Sequence, residues 1–123
     1  MSITHSSGFR VLKFSFPLVA LLIFIDACSK KPEFAPDCSG PAKSFATDVS
    51  PVFQTSCAIN SSCHATGSGN GPGTLLNYSQ IFNARADIRS AVASGHMPLN
   101  ATLTATQKNA ILCWIDNGAP NNL

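Results

Sequence analysis

The chain has 123 residues, of which 45% are hydrophobic and 11% charged, and its formal net charge is +2. That length suits one domain rather than two, and so small a charge excludes both a basic field for nucleic acid and charge-driven disorder. Eight glycines, eight prolines and five cysteines point to a small, loop-rich fold that needs a staple, a metal or a cofactor, because a core of this size is limited.

The first element is an export signal. Arg10 and Lys13 precede an apolar run over 14–25, interrupted by Ser15 and Pro17. A membrane-spanning helix needs about 20 apolar residues, whereas basic residues, a short apolar run and then a small residue form the pattern of a secretory signal. The run ends in Ile25, Asp26, Ala27 and Cys28. This resembles the bacterial lipobox, with Asp26 standing where that pattern has a small uncharged residue. The resemblance implies a signal peptide over 1–27, acyl chains on Cys28, and a polar, proline-bearing tether over 28–37. It also implies the cell envelope, on its periplasmic or outer-membrane face, where disulfides persist. The other reading is an ordinary signal peptide with an incidental cysteine.

The folded part is 38–123. Val49, Val52 and Phe53 predict a helix at about 48–56, with Pro51 tolerated only in its first turn. The glycine-rich stretch 65–74 predicts a loop. Tyr78, Ile81 and Phe82 predict one short helix; Ile88, Ala91 and Val92 predict a second, ended by Gly95. Thr104 and Gln107 form a capping box ahead of Ile111, Leu112, Trp114 and Ile115, and Gly118 with Pro120 stops the pattern. That predicts a helix at about 105–117. No run alternates with period two, so the predicted class is all-α: three to four short helices with long loops.

Cys57, Cys63 and His64 carry the chemistry. A cysteine followed directly by histidine, with another cysteine shortly before, is the outline of a c-type haem site. Two thiols form thioethers with the porphyrin vinyl groups, and the adjacent histidine is held beneath the iron. Here five residues separate the cysteines, where two are usual, so the segment must loop out to bring the thiols together. Two other readings fit the same string: a Cys57–Cys63 disulfide with an incidental His64, or zinc on Cys57, Cys63 and His64, which lacks an obvious fourth ligand.

Over about 45–122 the sequence resembles the single-haem cytochrome c-like domains of bacterial lipoproteins. The resemblance lies in ordered features: Val52 and Phe53 leading into Cys57, Cys63 and His64; Gly71, Pro72 and Gly73; Tyr78 with Ile81; the pair Met97–Pro98; and the ending Trp114, Ile115, Asp116, Asn117, Gly118, Ala119, Pro120. It implies a small cytochrome c-like fold around one covalently attached haem c per chain. His64 and Met97 would be the iron ligands, and the Pro72 carbonyl would accept the His64 ring N–H. Trp114 would pack the last helix against the helix of Phe53. His96, next to Met97, is the competing ligand, with a solvated turn residue as its other reading. The resemblance also implies a disulfide between Cys38 and Cys113, although the cysteine count alone leaves other pairings open. The implied function is electron transfer with redox partner proteins of the envelope, membrane attachment through the lipid anchor, no nucleic acid and no enzymatic reaction. A small haem enzyme or sensor, and a non-haem, disulfide-stapled binding module, are the alternatives.

Overall fold

The computed structural model describes residues 31–123. The signal segment expected over 1–27, and Cys28, the expected acylation site, lie outside the described residues. The described residues are helical, with no strand, and none of their helices is long and apolar enough to cross a membrane.

The first helix, α1, is continuous over 45–57 through the stretches Phe45–Val49, Ser50–Val52 and Phe53–Cys57. Its outer stretches are wound wide: the Val49 N–H donates to Ser44 O and the Ala58 N–H to Phe53 O, each five residues back. Pro51 sits between them. It has no N–H to donate and its ring crowds the preceding turn, the usual occasion for such a departure from regular winding. The helix starts three residues before the predicted position because its cap is tertiary. Ser44 accepts from the Thr47 N–H, while Asn122, far along the chain, accepts from the Phe45 N–H through its side chain at 2.8 Å and from the Ala46 N–H through its carbonyl. Sequence periodicity carries no signal for a cap supplied from 77 residues away.

Helix α2 is Tyr78–Asn83, opened by a capping box of Asn77 and Gln80. Helix α3 is Arg85–Ala93, and α4 is Ala105–Asp116, opened by the Thr104–Gln107 box. Gly118, at φ +90°, turns the chain out of α4; a glycine reaches that region without steric cost.

The core joins α1, α2, α3 and α4 through Val49, Phe53, Ile81, Ile88, Ile111 and Leu112. Trp114 is fully buried and donates its indole N–H to Pro120 O. Its aromatic neighbours are Phe45 and Tyr78, with ring centroids 5.6 and 6.3 Å away. Phe45 belongs to α1, so Trp114 packs α4 against the helix that carries Phe53, as expected. Arg89 ties α3 to α4 by a bidentate pair with Asp116 at 2.7 and 3.1 Å.

The chain is already fastened to the fold inside the segment expected to be a free tether. The Phe34 N–H donates to Ala93 O at 2.7 Å, and its ring packs on the core beneath Lys108. The Asp37 N–H donates to Asn109 Oδ1, and a disulfide joins Cys38 to Cys113, whose Cα atoms are 5.5 Å apart. The tether reading rested on the polar and proline residues and passed over Phe34, an apolar side chain that gains by leaving water.

Candidate functional site

A cleft of about 300 Å³ opens between the end of α1, the loop after it and α3. Its walls include Phe53, Leu75, Ile88 and Val92, and Cys57, His64, Pro72, His96 and Met97 all line it. Ligand clefts of this mostly apolar kind start at about 300 Å³. Exposed Asp87 and His96 supply charge and polarity at its rim.

Cys57 ends α1, and the five residues after it fold outward as a tight turn. The turn closes on itself: the His64 N–H donates to Cys57 O at 3.0 Å, while Asn60 O accepts from the N–H groups of both Cys63 and Ala65. The Asn60 side chain accepts from Cys63 as well. The long cysteine spacing is thus absorbed as an exposed bulge carrying Ile59, and Cys57 and His64 meet as neighbours across one backbone hydrogen bond.

His64 is buried, at 8% exposure. Its backbone is held on both sides, since its carbonyl accepts from the Leu75 N–H at 2.9 Å. Its ring Nδ1 lies 2.8 Å from Gly73 O. A carbonyl can only accept, so Nδ1 carries the proton and Nε2 of the neutral ring keeps its lone pair. Nε2 has no protein partner, yet no fully buried side-chain nitrogen or oxygen among the described residues lacks one. Nε2 therefore opens toward the cleft that the residue lines. The expected acceptor was the Pro72 carbonyl; the observed one is Gly73, one residue on. Gly73 has φ +89°, a conformation that aims its carbonyl differently from its neighbour's and that a residue with a side chain adopts only under strain. Pro72 instead contributes its ring to the cleft wall.

The two thiols are free and unequal. Cys57 lines the cleft and Cys63 is not among its lining residues. Burial, with the neighbouring Cys63 adding to it, pushes the Cys57 thiol up to about 11. It is therefore protonated and a weak nucleophile at neutral pH. Among the described residues no three His, Cys, Asp or Glu side chains converge to hold a metal ion, so zinc on Cys57, Cys63 and His64 has no support in the geometry. A histidine–thioether pair is a different donor set, suited to iron in a porphyrin.

Met97 reaches the cleft from the turn after α3. Gly95, at φ +72°, reverses the chain, and the Met97 N–H returns to Ala91 O at 3.1 Å. His96 lines the same cleft but is exposed, whereas Met97 is half-buried. The residues present fit a haem: a buried imidazole with a free lone pair, a thioether, a thiol, and apolar walls around one cleft. The sequence reading gave no role toward His64 to Gly73, whose φ only the folded loop reveals, and none to Asn60, whose role depends on the bulge.

Comparison with protein-family models, with curated proteins and with solved structures finds no match to this chain.

Proposed function

We propose that this protein is a c-type haem electron carrier, attached by acylated Cys28 to the bacterial cell envelope. One observation carries the reading: buried His64 donates its Nδ1–H to Gly73 O, which leaves the Nε2 lone pair facing a cleft that Met97 and Cys57 also line. When bound, the haem supplies a one-electron ferric–ferrous couple. The chain's residues do the rest. The Gly73 carbonyl fixes the tautomer and orientation of His64. Met97 offers a soft sulfur, which favours the ferrous state and so raises the reduction potential. Cys57 and Cys63 would hold the group by adding S–H across two vinyl bonds, sulfur to one carbon and hydrogen to the other. Phe53, Leu75, Ile88 and Val92 give the site apolar walls. Were His64 and Met97 both to hold the iron, no position would be left for a substrate, and the chain would serve as a carrier rather than an enzyme. The few charges leave docking with envelope redox partners to apolar contact.

The position of Cys63 off the cleft favours a second reading, a disulfide-stapled, non-haem binding module with Cys38–Cys113 as its staple. The deciding experiment expresses the full chain with cytochrome c maturation factors and records a pyridine haemochrome spectrum and an intact mass. The carrier reading expects one haem that survives denaturation. A colourless protein with the mass of polypeptide plus lipid would establish the second reading. Cys28→Ala tests the anchor separately, by moving the protein out of the membrane fraction.

A further inference from the structure

The C-terminal turn of α3 has four backbone carbonyls that no later turn of the helix satisfies. All four have partners, and the partners come from two directions. Ser90 O accepts from the Ser94 N–H and Val92 O from the Gly95 N–H. Ala91 O accepts from the Met97 N–H, and Ala93 O accepts from the Phe34 N–H, across 59 residues of sequence. Met97 and Phe34 are therefore secured to carbonyls two residues apart on one helical turn.

Phe34 is itself held firmly. Its half-buried ring packs on the core, with Lys108 Nζ 4.9 Å from the ring centroid. Four residues on, Cys38 is bonded to Cys113 in α4, and between them the Asp37 N–H reaches Asn109 Oδ1. Segment 33–38 thus runs from the end of α3 to the middle of α4. Met97 has less support of its own: it is half-buried, and exposed His96 and Leu99 flank the Met97–Pro98 pair.

We propose that segment 33–38 is a strap that positions Met97, with Phe34 as its positioning residue. The strap fixes the last turn of α3, and that turn fixes the Met97 backbone through Ala91 O. Phe34 touches neither the cleft nor anything bound in it; it acts on Met97 through the helix end. As a statement about iron ligation the inference rests on the haem reading, but the mechanical coupling does not.

The test uses the full chain with Phe34→Ala, and with Phe34→Leu as the conservative rescue. Amide hydrogen exchange is followed at Met97, with Ile88 in α3 and Ile111 in α4 as references. Phe34→Ala is expected to speed Met97 exchange on the order of tenfold more than either reference, as a local opening does, and Phe34→Leu restores it. In haem-loaded protein the same variant weakens the long-wavelength charge-transfer band of the thioether–ferric iron bond while the haem stays covalently attached. Equal acceleration at Met97, Ile88 and Ile111, or none at Met97, would overturn the proposal, because it would mark global destabilisation or no coupling. If Phe34→Ala fails to fold, Asn109→Ala, which removes only the contact to Asp37, is judged by the same comparison. A protein that takes up no haem defeats the electron-carrier reading and leaves the exchange result to judge the strap.

Discussion

Removing the Cys38–Cys113 bond tests how much of this small fold is held from outside its core. The cleaner perturbation is Cys38→Ala. Cys38 is exposed, so no cavity forms, and Cys113, 2% exposed, stays as a small buried thiol. The bond closes a loop with a sequence separation of 75. Loop-closure entropy for that length gives a stabilisation of about 4.5 kcal/mol at room temperature. A domain of roughly 90 residues has a total stability of about 5–13 kcal/mol, so the bond accounts for a third or more of it. The corresponding drop in Tm is about 20–30 °C. The measurement is thermal and urea unfolding of the mature protein by circular dichroism, with the variant kept under mild reductant so that Cys113 cannot pair with Cys57 or Cys63. The urea m-value should also rise, because the unfolded chain is no longer cross-linked and exposes more surface. A Tm drop below about 5 °C with an unchanged m-value would refute the reasoning, since the bond would then place no effective restraint on the unfolded chain.

Three further outcomes follow from the site. In haem-free protein the folded state keeps Cys57 protonated up to about 11, from an ordinary thiol value of 9.0. That contribution is fully present below about pH 9 and is lost as pH rises through about 11, a decline of up to about 2–3 kcal/mol; urea midpoints across that range should fall, and the extra slope should vanish in Cys57→Ala. Phe53→Ala empties a site that is 2% exposed and forms part of the cleft wall; its cost is about 3–5 kcal/mol, read as a lower urea midpoint. Met97→Ala should leave haem attached, lower the reduction potential in electrochemical titration, and let added imidazole or cyanide bind the iron, whereas an unchanged spectrum would remove Met97 from the ligand set.

The helices were legible because their signals are local. The Thr104–Gln107 box, the spacing of Ile111, Trp114 and Ile115, and Gly118 after them mark α4 within a few residues of its observed bounds. Ile88, Ala91 and Val92 did the same for α3. What stayed hidden depends on contacts between distant parts of the chain. The start of α1 is capped by Asn122, and residues 34–37 dock on α3 and α4 through backbone donors that composition does not reveal. At the candidate site, His64 and Met97 line one cleft, brought together by a turn of the fold that their separation in the chain does not encode. The choice of Gly73 over Pro72 as acceptor turns on one positive φ angle. The separation of Cys57 from Cys63 relative to the cleft turns on how the five-residue bulge folds, and a count of residues between cysteines cannot resolve that.

The Asn122 cap has a consequence for the order in which this protein is made. The first turn of α1 lacks two of its hydrogen-bond acceptors until the chain through Asn122 has been synthesised. Until then the Phe45 and Ala46 N–H groups are left to water, so the start of the helix that ends in Cys57 gains its full set of partners only when distant parts of the chain have come together.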